Sequence, residues 1–171
     1  IFDDTYNIRD NPHLRLKNLT LEGLLEAGFE SPVYSRPVAN ISFALNYYLG
    51  GYNLFGYHLV NILIHIITGL LLYLFFNTTL RLSLRPLSEV ATLRTPTASR
   101  APGQWFRRFD PMLVSFWATV VWLVHPVQTQ SVTYIVQRMN SMAAMFYVLC
   151  ILLYARGRIS QKHRIDNSKA R

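Results

Sequence analysis

Asp3 and Asp4 stand side by side in Phe2-Asp3-Asp4-Thr5-Tyr6. Such a carboxylate pair can take a proton from an acceptor hydroxyl, because each carboxylate tunes the proton affinity of the other. Two adjacent aspartates also suit a plain solvated acidic segment. A second group of candidates is His58, Asn61 and His65, whose steps of three and seven residues return to one side of a helix. Two histidines seven residues apart are separated by about 10 Å along the axis, too far to ligate one metal ion together. No metal site is therefore expected on this helix. The stripe reads as a polar face that bonds neighbouring helices, with His58 the member best placed to touch a substrate. A third group gathers His125, in His125-Pro126-Val127-Gln128-Thr129-Gln130-Ser131, with Arg138 and Arg36. A guanidinium matches phosphate oxygens through its fork of donors and keeps its charge when partly desolvated. Snorkelling to the headgroups, or pairing with a carboxylate on another helix, would account for Arg138 equally well.

The elements that must carry these residues are membrane helices. Only 15% of the 171 residues are charged and 51% are apolar, against roughly 25% charged in ordinary soluble domains. Composition thus excludes disorder and collagen-like repeats, and a single cysteine excludes a disulfide scaffold. Leu59 to Phe76 is an apolar run long enough to span roughly 27 Å. The expected path is an outer loop over 1–57, a transmembrane helix over 58–76, and an inner loop over 77–108. A second span over 109–127, an outer turn over 128–131, a third span over 132–154 and an inner tail over 155–171 complete it. The third span would carry Gln137, Arg138 and Asn140 in its first half, where they must face protein or water.

Orientation follows from the basic residues, which cytoplasmic loops retain. Arg81, Arg85, Arg94, Arg100, Arg107 and Arg108 lie in 77–110, and Arg156, Arg158, Lys162, Arg164, Lys169 and Arg171 in the tail. The first 57 residues hold Arg9, Arg15, Lys17 and Arg36 against Asp3, Asp4, Asp10, Glu22, Glu26 and Glu30. The net charge of +8 is thereby explained by topology, and no nucleic-acid partner is expected.

Within the outer segment, Val38, Ile41, Ala44, Leu45 and Tyr48 share one helical face with Ser42 and Asn46 opposite, as in an amphipathic helix lying at the interface. Tyr47, Tyr48, Tyr52, Phe55 and Tyr57 form an aromatic belt before the first span. Pro86, Pro96, Pro102 and Gly103 mark the inner loop as a linker. Cys150 reads as packing, and the sequons at Asn18 and Asn40 fall on the outer side.

These segments together resemble the membrane domain of the GT-C superfamily of polyprenyl-phosphate-dependent glycosyltransferases. The nearer match is the protein O-mannosyltransferase-like branch that carries tetratricopeptide repeats after its membrane domain. The residues that carry the resemblance are Phe2-Asp3-Asp4, Ser35-Arg36-Pro37-Val38, Ser42-Phe43-Ala44-Leu45-Asn46-Tyr47, Gly56-Tyr57-His58-Leu59-Val60-Asn61 with His65, His125-Pro126-Val127-Gln128-Thr129, and Val132-Thr133-Tyr134-Ile135-Val136-Gln137-Arg138. The resemblance implies an all-α membrane protein, a fragment of a larger GT-C bundle with about three transmembrane helices and an outer amphipathic helix. It implies transfer of a sugar from a polyprenyl-phosphate donor to a protein hydroxyl on the non-cytoplasmic face, in a bacterial inner membrane. Asp3 or Asp4 would then be the catalytic base, with Arg36, His58, His125 and Arg138 at the substrates and membrane lipid as surroundings. Gln130 stands where the family usually has Glu, which leaves a second acidic role without a residue. A non-catalytic membrane scaffold retaining the same fold is the alternative.

Overall fold

The computed structural model describes residues 5–92 and 110–169, and every regular element among them is helical. After a π-helical turn at Thr5–Arg9 and a 3-10 turn at Pro12–Leu14 come α1 (Leu21–Phe29), α2 (Pro37–Gly50) and α3 (Leu54–Thr92). They are followed by α4 (Pro111–Val124), a 3-10 turn at Pro126–Gln128, the short α5 (Thr129–Thr133) and α6 (Arg138–Lys169). Two of these helices are long and apolar enough to cross a membrane, Leu54–Ser83 and Arg138–Gln161. A third candidate is the pair Pro111–Val124 and Pro126–Thr133, interrupted at His125. The chain is an all-α integral membrane protein.

The chain divides into two compact units. The first joins residues up to Ile67 with His125–Phe146. Its helices begin and end where local chemistry dictates. The Thr20 hydroxyl accepts the Gly23 N–H at 3.2 Å and caps α1, and Pro37 opens α2 at a position whose N–H needs no partner. Gly51, at φ 58°, closes α2 in a conformation that side chains with a Cβ avoid. Ile8, Leu14, Ala27, Ala39, Phe43, Ala44, Tyr57, Ile135 and Met139 form its apolar core. Buried amides tie the loop together. Asn11 Nδ2 donates to Ser31 Oγ at 3.0 Å, and that hydroxyl donates to the Ala27 carbonyl at 2.6 Å. Asn40, from the second sequon, donates to the Gly28 and Val33 carbonyls at 3.2 and 2.9 Å and is buried within α2. Of the expected apolar face of α2, Val38, Leu45 and Tyr48 stay exposed, whereas Ala44 is buried in the core and Ile41 is half-buried. Tyr57 departs from the expected belt, being packed into the core against Phe43.

The second unit comprises Thr68–Val124 and the chain from Tyr147 onward. It inverts the pattern of a soluble protein. Ser115 and Thr119 are buried on α4, each hydroxyl donating to the carbonyl one turn back, at 2.7 and 2.8 Å, while Phe116, Trp117 and Val121 are exposed. Small and hydroxyl residues inward with large apolar ones outward is how helices pack in lipid. Gly69 permits the close approach, since a Cβ there would lie 2.7 Å from Leu123 Cδ2.

The helix boundaries differ from the expected spans. The first helix starts at Leu54, not 58, and continues to Thr92 with Pro86 inside it, so that part of the expected linker is helical. Residues 93–109, the rest of that linker, lie outside the described residues. The outer turn is a 3-10 turn and a single helical turn, followed by an extended Tyr134. The last helix consequently begins at Arg138 and not at Val132. Gln137, Arg138 and Asn140 stand at its mouth, which spares them a lipid-facing position in mid-span.

Candidate functional site

The first unit concentrates its polar side chains around the start of α6. The Arg138 side chain there is completely buried. Its Nε donates to Asn61 Oδ1 at 2.8 Å, Nη2 to the Tyr57 carbonyl at 2.8 Å, and Nη1 to Asn46 Oδ1 at 2.6 Å. Nη1 also reaches the carbonyl and hydroxyl oxygens of Ser42, both at 3.3 Å. The guanidinium carbon sits 4.5 Å from the centroid of Phe43 and 5.6 Å from that of Tyr57, within cation–π range of both rings. A buried charge is tolerable only when its donors are satisfied. Here neutral oxygens and ring faces satisfy them. Among the described residues no carboxylate pairs with Arg138.

The stripe on α3 turns inward. His58 Nδ1 lies 3.2 Å from the Val132 carbonyl, a contact in which the ring donates, and Asn61 Nδ2 donates to the Tyr134 carbonyl at 3.1 Å. His65, one helical repeat further along, is half-buried. These contacts have a common cause. The break between α5 and α6 frees backbone carbonyls that a continuous helix would satisfy, and in a membrane protein side chains must replace the lost donors.

Arg36 precedes the first residue of α2 and is half-buried. Its Nη1 donates to Asn140 Oδ1, and Asn140 Nδ2 in turn donates to Gln137 Oε1 at 3.1 Å. With one side-chain bond among the described residues, this guanidinium has further donors that suit an anionic ligand. His125 is exposed, and its Nδ1 accepts the Val127 N–H at 3.2 Å to cap the 3-10 turn. Asp3 and Asp4 lie outside the described residues. The structure thus gathers Arg36, His58 and Arg138 around the first turns of α6 and α3, and it gives His125 a local capping task.

Sequence reasoning singled out Arg138 but not the oxygens that enclose it. Ser42 and Asn46, one helical turn apart on the polar side of α2, were the available sign that a donor must face them. A further cluster escaped notice. His13 Nδ1 lies 3.1 Å from Glu26 Oε1 and 3.9 Å from Glu30 Oε2, and ligand atoms of these three residues all fall within 4.8 Å of one another. They are half-exposed or exposed, the setting of a weak surface ion pair.

No family model and no solved structure matches the chain. Curated proteins do. The chain is 29% identical over 165 residues to the protein O-mannosyl-transferase Tmtc3 of Drosophila melanogaster, a match covering 91% of this chain and 17% of that protein. It is 26% identical over 165 residues to the protein O-mannosyl-transferase F38B6.6 of Caenorhabditis elegans, covering 92% and 20% respectively. To TMTC2 of Mus musculus, also a protein O-mannosyl-transferase by name, it is 31% identical over 120 residues, 70% of this chain and 11% of the relative. The chain therefore spans a fifth or less of the length of these three relatives. Its curated homologues fall in the protein O-mannosyltransferase branch that the sequence resembles.

Proposed function

We propose that this chain is the first outer loop and adjoining helices of a membrane-embedded glycosyltransferase of GT-C type, acting on protein. The observation that carries the reading is the positive charge of Arg138, buried beside the outer loop without a carboxylate partner among the described residues. In a medium of low dielectric such a charge favours an anion developing nearby, even without contact. Similarity to protein O-mannosyl-transferases over 91% of the chain supports the same assignment.

In the proposed reaction a carboxylate of Asp3 or Asp4 takes the proton of an acceptor hydroxyl. The hydroxyl oxygen bonds to the anomeric carbon of a polyprenyl-phosphate-linked sugar, the bond from that carbon to the phosphate oxygen breaks, and polyprenyl phosphate departs. Arg36 donates to the departing phosphate. Arg138 adds its field, while His58 and His125 shape the surrounding backbone. The reaction takes place on the non-cytoplasmic face. The relatives named above are animal proteins, which gives no support to the bacterial inner membrane expected from the sequence.

The engagement of Arg138 and His58 by protein acceptors also favours a second reading, a membrane scaffold of the same fold. Transfer of labelled sugar from a polyprenyl-phosphate donor in membranes holding the complete gene product separates the two. Asp3→Asn and Asp4→Asn preserve shape but remove the base. One of them should lower turnover about a hundredfold. Near-normal transfer by the double variant would remove both aspartates as the base, and absence of transfer by the wild type would favour the scaffold.

A further inference from the structure

Acceptors on four residues from two stretches of chain converge on the one guanidinium. Ser42 and Asn46 belong to α2, Tyr57 and Asn61 to the head of α3, and Arg138 itself opens α6, at sequence separations of 77 to 96 residues. Asn61 extends the link by donating to the Tyr134 carbonyl in the break before α6. The rest of the outer loop hangs on α2. Asn40 holds the Gly28 and Val33 carbonyls, and Ala39, Phe43 and Ala44 of α2 pack with Ile8, Leu14 and Ala27 in one core. Displacing α2 would therefore carry the loop with it. Donors fixed in a plane and aimed at four residues cannot be reproduced by an ammonium.

We propose that Arg138 is a positioning residue that locks the outer loop to the membrane helices through α2, and that it affects turnover by placing the loop and not by touching the sugar donor. This rests on the glycosyltransferase reading for its kinetic consequence alone. The complete gene product in detergent provides the test, as wild type, Arg138→Lys, Arg138→Gln and Asn46→Ala. Amide hydrogen exchange should accelerate tenfold or more over 37–50 in the Arg138 variants, with exchange over 111–124 unchanged. Asn46→Ala removes one acceptor and leaves Arg138 in place, so a smaller acceleration of a few fold over the same residues is expected even if the Arg138 variants do not fold. With a polyprenyl-phosphate-linked mannose as donor, Arg138→Lys should lose kcat tenfold or more with KM for the donor within twofold. A tenfold rise in donor KM with unchanged exchange over 37–50 would make Arg138 a donor ligand and overturn the proposal. Unchanged exchange in Arg138→Lys and Asn46→Ala would overturn it also. If the wild type transfers no sugar, the glycosyltransferase reading falls while the exchange data still decide the lock.

Discussion

Asn61 holds Arg138 and Tyr134 at once: its amide oxygen accepts Nε of Arg138 at 2.8 Å while its amide nitrogen donates to the Tyr134 carbonyl at 3.1 Å. One side chain thus serves a buried charge and a backbone break together. Asn61→Leu should cost about 3 kcal/mol, because it strips an acceptor from a buried cation and a donor from a freed carbonyl. Asn61→Asp retains the acceptor, loses the donor and sets a carboxylate beside Arg138, so its cost should be closer to about 1 kcal/mol. Thermal unfolding of both variants in detergent measures the difference. Equal losses would show that the contact with Arg138 contributes little.

The contact between Gly69 and Leu123 predicts a pair effect. A Cβ at position 69 would press on Leu123 Cδ2 at 2.7 Å and on two other atoms of that side chain at 3.0 Å. Gly69→Ala should destabilise by about 1–3 kcal/mol through overpacking. Adding Leu123→Ala vacates the space and should recover part of that loss. Unfolding of the two single variants and the double variant completes the cycle, and strictly additive effects would place the two residues out of contact.

Arg36 should separate binding from folding. It makes one side-chain bond among the described residues, so Arg36→Gln should leave the unfolding temperature nearly unchanged. If the guanidinium serves the donor phosphate, the variant should raise KM for the polyprenyl-phosphate donor about tenfold, the scale of one charge-assisted hydrogen bond. An unchanged KM would remove Arg36 from the donor site.

The partition of basic residues predicts the sidedness of the chain. In a Cys150→Ser background, single cysteines at positions 20 and 128 should react in intact cells with a membrane-impermeant maleimide. Those at 95 and 165 should react only after the membrane is opened. The reverse pattern would place the outer loop on the cytoplasmic side.

Much of the architecture could be read from the residues alone. Leu59 to Phe76 announces a span by length and hydropathy, and the helical period already places His58, Asn61 and His65 on one side. The enclosure of Arg138 was beyond such reading. A guanidinium suits phosphate and amide oxygens alike, and its acceptors lie 77 to 96 residues away. The break at Tyr134 was equally hidden, since Val132-Thr133-Tyr134-Ile135-Val136 contains neither Gly nor Pro and continues an apolar pattern. Asn40 shows the limit of a motif: a sequon by sequence, it is a buried amide bridging two carbonyls in the fold.

Asn11 and Ser31, 20 positions apart, close the loop ahead of α2 with a hydrogen bond that Ser31 passes on to the Ala27 carbonyl, and the chain's one cysteine, Cys150, lies elsewhere. Small domains outside the cytoplasm commonly rely on covalent cross-links. This one relies on amides, a hydroxyl and packed apolar side chains. Its folding is thereby insensitive to thiols and oxidants, and the loop should assemble equally well in a reducing cell-free extract and in an oxidising compartment.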